Sequence, residues 1–242
     1  FGYDHVFWSV TDDQKQEAGP GTTFANQEDV YNLCGAPVIN DVYSGRNSCI
    51  FAYGQTGSGK THTMMGNKDD PGLIPRIIKF LFVESENIRQ PHVELTISAS
   101  FLEIYNEKVK DLLDAAENKT LAKDASFCER KVRYTPELGT HVVGLKRVTI
   151  TSADECEELI SAGTNYRTVA STKMNDQSSR SHAILQLSVK RKDKHAGVQS
   201  SAIMNLVDLA GSERIKMSCV SGAQLTEAKN INLSLTTLRR VI

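Results

Sequence analysis

One eight-residue segment restricts the fold of this 242-residue chain more than any other: residues 54–61 read Gly-Gln-Thr-Gly-Ser-Gly-Lys-Thr. The segment matches the phosphate-loop pattern G-x-x-x-x-G-K-[ST], and the mostly apolar run at 48–53 before it is typical of a buried strand. Glycines let backbone N–H groups close around phosphate oxygens, the lysine adds positive charge, and the hydroxyl can ligate Mg²⁺. The pattern predicts a phosphate-binding loop between a strand and a helix, and a flexible glycine turn is the alternative.

Composition narrows the possible partners. The chain has 28 basic and 29 acidic residues, so no overall electric field attracts nucleic acid or a membrane surface, and we expect neither as a partner. The five cysteines are odd in number and scattered without C-x-x-C spacing, which favours a reduced intracellular compartment over a disulfide framework or a zinc site. No apolar run approaches the roughly 18 residues that a membrane-spanning helix needs.

Segments with strand and helix character alternate, which predicts a layered α/β domain. Strands are predicted at 48–53, 93–101 (buried on one face), 142–150, 185–189 and 203–207, and residues 115–131 are predicted to be a polar loop. Helices are predicted from about 27 to 45, at 77–82, and along an amphipathic stretch from 225 to 242.

Individual residues predict where several helices begin, bend or end. Pro37 is expected to kink or restart the helix that Gly45 ends. Ser152 and Glu155 form a capping box, which predicts a helix that begins there and ends at Gly163.

Two further segments carry polar residues suited to a bound phosphate. Asp208 ends the apolar run 203–207, where a carboxylate can hold Mg²⁺ through water, and the N–H of Gly211 could approach a terminal phosphate. A turn carboxylate after a strand accounts for Asp208 equally well.

The other segment, residues 175–182, reads Asn-Asp-Gln-Ser-Ser-Arg-Ser-His. Its adjacent hydroxyls could serve a metal ion and a phosphate oxygen, and Arg180 could pair with Glu213. In isolation such a string is more often an ordinary polar loop, and His182 would be a hydrogen-bonded structural histidine.

Together the three segments resemble those of the kinesin motor domain family. The phosphate loop followed by His62, a first switch at 175–182 and a second switch at 208–214 occur in the family's order. The similarity runs nearly end to end, through Phe-Gly-Tyr-Asp-His-Val-Phe at 1–7, Phe-Leu-Glu-Ile-Tyr-Asn-Glu at 101–107 and Asn-Ile-Asn at 230–232. It implies an α/β phosphate-loop fold with a central mixed, mainly parallel β-sheet and helices on both faces.

Three short segments favour one branch of that family, the vesicle-transporting kinesin-three subfamily. They read Phe-Trp-Ser-Val at 7–10, Glu-Leu-Gly-Thr at 137–140 and Leu-Thr-Thr-Leu at 235–238.

The resemblance also implies ATP and Mg²⁺ as ligands. It assigns the phosphates to Gly54, Gln55, Thr56, Gly57, Ser58, Gly59, Lys60 and Thr61, the adenine to His62, and the metal ion to Thr61, Ser179 and, through water, Asp208. It makes Asn175, Ser178 and the Gly211 N–H sensors of the γ-phosphate, and it pairs Arg180 with Glu213 to close the switches for hydrolysis.

At the level of the whole protein, the resemblance implies a microtubule-dependent motor ATPase located on cytoplasmic microtubules. The helix that begins near 224 would face tubulin, and cargo and dimer partners would bind segments outside this chain. Residues 1–242 would be a partial motor domain that lacks its N-terminal strand and its last strand and helices.

The sequence departs from the family at six positions, one of which is Lys173 in place of a common Asn just before the first switch. Leu233 and Met217 stand where the family usually has Lys, Cys219 and Arg239 stand where it usually has Gly, and Arg46 replaces a Tyr expected beside the nucleotide. Because tubulin is acidic, the loss of two cations predicts a weaker electrostatic attraction, which Arg239 and Arg240 restore in part.

Two other classes of protein compete with a motor. One is a non-motile kinesin-like protein that binds microtubules or acts as a scaffold, which the substitutions at Met217, Leu233 and Arg46 favour. The other, which the sequence supports less, is a phosphate-loop enzyme such as a small-molecule kinase or a GTPase.

Overall fold

The computed structural model describes residues 2–9, 24–118, 128–171, 177–213 and 223–241. Its helices are α1 (Gln27–Val30), α2 (Ala36–Tyr43), α3 (Lys60–Met64), α4 (Leu73–Asn87), α5 (Leu112–Glu117), α6 (Ala153–Ser171) and α7 (Ala223–Val241). Its strands are β1 (Ser48–Ala52), β2 (Val93–Tyr105), β3 (Lys108–Asp111), β4 (Glu129–Arg130), β5 (Val132–Thr135), β6 (Gly139–Val142), β7 (Val148–Ile150), β8 (His182–Asp193) and β9 (Val198–Asp208). Lys173, Asn175, Met217 and Cys219 lie outside the described residues.

The central sheet has the strand order β1-β9-β8-β2-β3-β4, and β7 also pairs with β2. Among the described strand pairs only β1 and β9 are parallel, while β2, β3, β4, β7 and β8 pair antiparallel with their neighbours. The sheet is mixed, as predicted, but the expectation of mainly parallel strands is wrong. Tight turns connect β2 to β3 and β8 to β9, and a direct turn of this kind reverses the chain and gives an antiparallel pair.

Apolar side chains cover both faces of the sheet. One core cluster packs Leu187 of β8 and Met204 of β9 with Ile78 of α4 and Cys156 of α6. The second cluster lies on the other face, where Val207 and Leu209 pack with Ile231 and Leu235 of α7. Helices therefore flank the sheet on both faces, as predicted. In the described part of the chain, no helix is both long enough and apolar enough to cross a lipid bilayer.

The first helical region follows the sequence prediction closely. Asn26 caps α1 by accepting hydrogen bonds from the backbone N–H groups of Glu28 and Asp29. A π-helical turn at Tyr31–Gly35 separates α1 from α2, and Pro37 lies in the first turn of α2, where its missing N–H costs no helical hydrogen bond. The helix ends before Gly45, which has a φ of 80°.

Several boundaries differ from the predicted ones because tertiary contacts decide them. Residues 142–150 contain the end of β6, a turn and β7 rather than one strand, and residues 115–117 and 129–130 of the predicted loop belong to α5 and β4. Strand β2 extends to Tyr105, and its residues 97–103 are buried on both faces rather than one.

Gly163 does not end α6, which continues to Ser171. A Cβ atom at this position would lie 2.6 Å from Cδ1 of Phe101, which points from β2 towards the helix. The glycine is therefore required by close packing between α6 and the sheet and not by a turn.

We expect Gly163→Ala to lower the free energy of unfolding by about 1–2 kcal/mol. The alanine gains about 1 kcal/mol of helix propensity, but a contact as short as 2.6 Å puts the cost of overpacking against Phe101 in the upper part of the usual range, about 2–3 kcal/mol. Urea denaturation measures the difference, with Ser161→Ala on the exposed side of the same helix as the control. A Gly163→Ala protein as stable as Ser161→Ala would show that α6 does not pack closely on Phe101.

Candidate functional site

The phosphate loop occupies the turn from β1 into α3. Gly57 and Gly59 have φ angles of 77° and 90°, a conformation that residues with a Cβ atom rarely adopt. Lys60 begins α3, and its Nζ donates hydrogen bonds to the carbonyl oxygens of Gly54 (3.0 Å) and Gln55 (2.9 Å). The loop thus has the strand–loop–helix arrangement that the sequence predicts.

A cavity of about 350 Å³ opens beside this loop. Its lining comprises Thr56, Gly57, Gly59, Lys60, Thr61, His62, Ser179 and Leu209. The cavity therefore combines most of the phosphate loop with one residue of the first switch and one of the second.

Asp208 is held next to Thr61 by the parallel pairing of β1 with β9. In this register Ala52 pairs with Asp208, so both strands end at the same edge of the sheet. Thr61 Oγ1 donates a 2.6 Å hydrogen bond to Asp208 Oδ2. The other carboxylate oxygen, Oδ1, is buried and has no hydrogen-bond partner among the described atoms. A hydroxyl beside a carboxylate with a free oxygen fits a hydrated Mg²⁺, because Mg²⁺ prefers oxygen ligands and retains several waters.

The described part of the first switch is a short 3₁₀ turn, Gln177–Arg180, that leads into β8. Ser179 lines the cavity, and its carbonyl oxygen accepts a 2.9 Å hydrogen bond from the N–H of Gly211. Ser178 belongs to the same turn, whereas Asn175 lies outside the described residues. A backbone hydrogen bond therefore connects the two predicted switches directly.

The second switch lies against the phosphate loop. The N–H of Ser212 donates to the carbonyl of Gly54 (3.0 Å), and the Glu213 carboxylate accepts hydrogen bonds from both the N–H (2.8 Å) and the hydroxyl of Thr56. An added Cβ at Gly211 would overlap Thr56 Oγ1 and the Glu213 carboxylate, so only glycine fits there. The ion pair between Arg180 and Glu213 stays a prediction.

The contacts of Glu213 also set its acidity. Partial burial favours the protonated form, but the hydrogen bonds from Thr56 and the positive charge of Lys60 outweigh it, so the pKa of Glu213 is lowered. The carboxylate is ionised at neutral pH, which an ion pair with a cation of the first switch requires.

His62 lies at the far side of the loop, where α1 supports it. The buried side chain of Gln27 donates from Nε2 to the carbonyl oxygen of His62 (2.7 Å) and lies 3.1 Å from Nδ1 of its ring. Sequence reasoning missed Gln27, since a polar residue at a helix start carries no pattern of its own. Arg46 is not in the cavity: it precedes β1, at the opposite end from the loop, and its guanidinium bonds Asp41 at 2.6 Å.

A buried ion pair supports the base of the first switch. Arg167 of α6 lies 3.0 Å from the carboxylate of Glu103 on β2, and its Nη2 donates to the hydroxyl (2.9 Å) and the carbonyl (3.3 Å) of Ser181. These residues were also missed, although one feature could have revealed them. Glu103 follows the apolar residues Ile97, Ala99 and Phe101 at intervals of two, so all four share one face of the strand. This spacing places a charge on the face that packs into the core.

His182 lies between the second switch and α7. Its Nδ1 is 3.0 Å from the N–H of Ala210, and its Nε2 is 2.9 Å from Oγ of Ser234. Burial, with a smaller contribution from the charge of Arg167, lowers the pKa of His182 to about 4. The ring is therefore neutral at physiological pH, and the expected structural histidine is confirmed as a hydrogen-bonded one.

Comparisons with known proteins agree with this geometry. The profile of the family described as "Kinesin motor domain" matches residues 1–242. Kinesin-like protein KIF13B of Homo sapiens is 42% identical over 246 residues, which cover 100% of this chain and 13% of that protein. Kinesin-like protein K39 of Leishmania chagasi is 42% identical over 258 residues, which cover 100% of this chain and 26% of that protein.

Solved structures give the same result. A KIF14 dimer in a two-heads-bound state, with AMP-PNP and in complex with a microtubule, has a TM-score of 0.81 and 37% identity. The match covers 98% of this chain and 63% of that one. The chain thus spans 13% and 26% of the two relatives named above, and a larger share of the solved motor.

We expect the free energy of unfolding to fall as the pH is lowered from 6.5 to about 4, because of His182. In this window the unfolded chain binds a proton at His182 that the folded chain does not, so stability is fully present above pH 6.5 and is lost towards pH 4. The full shift corresponds to about 3 kcal/mol. Urea denaturation between pH 7 and 4.5 should show a shallower pH dependence for His182→Asn. Replacement of the exposed His5 by Gln should leave the dependence unchanged, and equal slopes for all three proteins would contradict the burial of a neutral His182.

Proposed function

Because the chain belongs to the kinesin motor domain family, we propose that it forms the ATP-hydrolysing, microtubule-binding part of a motor protein. KIF13B is a kinesin-three protein, in agreement with the subfamily that the three short segments favour. The observation that carries the proposal is the meeting of three segments at one cavity. There Thr61 bonds Asp208, and the N–H of Gly211 bonds the carbonyl oxygen of Ser179.

In this proposal the phosphate loop binds the nucleotide. The backbone N–H groups of residues 54–61 and the ammonium group of Lys60 face the phosphates, and His62, held by Gln27, lies beside the adenine. Lys60 would exchange its hydrogen bonds to the carbonyls of Gly54 and Gln55 for bonds to phosphate oxygens. That exchange favours the nucleotide because the ammonium group then meets an anionic oxygen instead of a neutral carbonyl oxygen.

The proposed metal ligands are the hydroxyls of Thr61 and Ser179, with Asp208 acting through a water. A Mg²⁺ ion held by these residues would supply positive charge that offsets the negative charge developing during phosphoryl transfer. The free Oδ1 of Asp208 supports this assignment, since a buried carboxylate oxygen without a partner is otherwise costly. Asp208 in turn orients the Thr61 hydroxyl through their hydrogen bond.

The switches act by exchanging partners. The N–H of Gly211 donates to Ser179, and Glu213 accepts from Thr56. A γ-phosphate in the cavity would compete with the Ser179 carbonyl for the Gly211 N–H, and it would also bind Asn175 and Ser178. Glu213 would then exchange its contact with Thr56 for a pair with Arg180. Each of these hydrogen bonds contributes about 1 kcal/mol net, so an incoming phosphate can outweigh them. Loss of the γ-phosphate after hydrolysis would return both switches to the arrangement described above.

The proposed partner is the microtubule, through α7. Solved structures similar to this chain, those of KIF14, are in complex with a microtubule. Ile231 and Leu235 hold the inner side of α7 to the sheet, whereas Leu233 is 55% exposed and Arg239 and Arg240 are exposed in the last turn. This outer surface is available to a large partner. A location on cytoplasmic microtubules follows from the same proposal.

The motor domain is proposed to include residues beyond this chain. Strand β1 pairs only with β9 among the described residues, and Phe51 and Tyr53 are 39% and 56% exposed. A sheet edge of this kind readily accepts a further strand. Cargo and dimer partners are proposed to bind segments outside residues 1–242.

A non-motile microtubule-binding protein is the second candidate. The observation that favours it is the exposed Leu233 on α7, where the family usually has a cation. Such a protein would bind microtubules equally well with every nucleotide and would hydrolyse almost no ATP.

We expect Glu213→Ala in the full-length protein to reduce microtubule-stimulated ATP turnover by about 100-fold or more. The substitution removes the carboxylate that is proposed to close the switches, and loss of a positioned catalytic group typically costs a factor of this size. Steady-state phosphate release with and without microtubules gives the result.

Arg180→Ala provides the matched comparison. If the two residues form one ion pair, the double variant should be no slower than either single variant. Unchanged turnover in Glu213→Ala would contradict the assignment of Glu213. Wild-type turnover that does not respond to microtubules would instead contradict the motor function itself.

We expect Leu233→Lys to tighten microtubule binding by about two- to fivefold at low salt, and by much less at high salt. The new cation would face the acidic tubulin surface, and salt screens such exposed charges. Cosedimentation at two ionic strengths measures the effect. Leu233→Gln removes the apolar side chain without adding charge, so equal tightening in that variant would contradict the electrostatic explanation.

A further inference from the structure

We propose that His182 is a positioning residue that connects the second switch mechanically to α7. The proposal rests on the function proposed above. The ring contacts one backbone atom of the segment 208–211 and one side chain of α7. A displacement of that segment would therefore pull on α7 through a single rigid side chain.

The hydrogen bonds fix the tautomer of His182. The backbone N–H of Ala210 can only donate, so Nδ1 must be the unprotonated acceptor. The proton is then on Nε2, which donates to Oγ of Ser234. Ser234 uses its own hydroxyl proton in a 2.8 Å bond to the carbonyl of Ile231, which leaves its oxygen free to accept from the histidine. All three donors point in one direction, from the switch to the helix.

The surroundings make this link stiff. His182 is 7% exposed, and Ala210 and Ser181 are fully buried. Arg167 holds the adjacent Ser181 through its hydroxyl and its carbonyl, so the backbone at the start of β8 is anchored. Because the ring cannot turn away without breaking buried hydrogen bonds, a shift of Ala210 has to be accommodated at Ser234.

Ala210 lies where its contact with His182 can couple the proposed nucleotide site to α7. It lies between Asp208, the proposed metal ligand, and Gly211, the proposed γ-phosphate sensor, whereas Ser234 is next to the exposed Leu233 on α7. One side chain thus spans the distance between nucleotide chemistry and the proposed filament surface. The apolar packing of Val207 and Leu209 on Ile231 and Leu235 holds α7 to the sheet without a preferred direction. The hydrogen bond from Asn230 to Asn106 also anchors α7, but it leads to the turn between β2 and β3 and not to the second switch.

The test is Ser234→Ala in the full-length protein, with microtubule-stimulated and basal ATP turnover measured side by side. Basal turnover should stay within about twofold of wild type, since Ser234 does not contact the nucleotide cavity. The microtubule-stimulated rate should fall by about five- to tenfold, the factor that corresponds to the net contribution of one buried hydrogen bond. Thr237→Ala is the matched control, and rates are compared at saturating microtubules so that a change in binding does not affect them: Thr237 lies one turn along α7, its hydroxyl donates to the carbonyl of Leu233, and it is exposed.

His182→Asn, alone and combined with Ser234→Ala, separates the contribution of the hydrogen bond to Ala210 from that of the hydrogen bond to Ser234. The oxygen of His182→Asn can still accept from Ala210 but cannot reach Ser234. If the two residues act through one bond, Ser234→Ala combined with His182→Asn should therefore be no worse than His182→Asn alone. Two losses that multiply would overturn the proposal.

The remaining outcomes are equally decisive. Equal loss of basal and stimulated turnover in Ser234→Ala would show a general structural role and overturn the proposal. Wild-type stimulation in Ser234→Ala, or the same decrease in Thr237→Ala, would do so as well. In each case stimulation of the wild-type protein would leave the motor function intact. A wild-type protein without stimulation would instead overturn the proposed function.

Discussion

The parallel pairing of β1 with β9 is the constraint on which the site depends. It aligns Ala52 with Asp208, so the strand that leads into the phosphate loop ends beside the carboxylate that receives the Thr61 hydroxyl. A shift of one residue would turn Asp208 to the other face of the sheet. The register is protected by burial, since Met204 and Leu206 of β9 face one core while Val207 faces the other. The apolar packing of β9 therefore fixes the hydrogen bond between Thr61 and Asp208.

The switches, in contrast, are joined to the site by bonds that are weak one at a time. Backbone hydrogen bonds from Gly211 to Ser179 and from Ser212 to Gly54, together with the contact between Glu213 and Thr56, hold the described arrangement. Each contributes about 1 kcal/mol net, against the far larger burial energy of the sheet. The same residues can therefore change partners while the strands behind them stay fixed. A rigid sheet with exchangeable loops is what a phosphate sensor requires.

Sequence reasoning located the elements with regular periodicity, including β8, β9 and α7, and it placed the phosphate loop and Asp208 together. It was wrong where a distant contact decides the outcome. Gly163 continues a helix because Phe101 lies against it, and strand direction depends on which strand becomes a neighbour. The roles of Gln27 and Arg167 depend on residues 35 and 64 positions away. The alternation of residues along β2 could have identified Glu103 as a buried charge, but it could not have identified Arg167 as its partner.

The neutral state of His182 has a physical advantage at its position. A charged imidazolium would have two donors and could not accept from Ala210, so protonation would break the contact with the second switch. Burial prevents this, and the pKa of about 4 keeps the ring neutral across the physiological range. A neutral ring with one acceptor and one donor makes hydrogen bonds of fixed direction, whereas apolar packing has no preferred direction. Helix α7 is therefore held to the sheet by its leucine and isoleucine side chains, whereas the hydrogen bonds between His182 and Ser234 and between Asn230 and Asn106 add contacts of fixed direction.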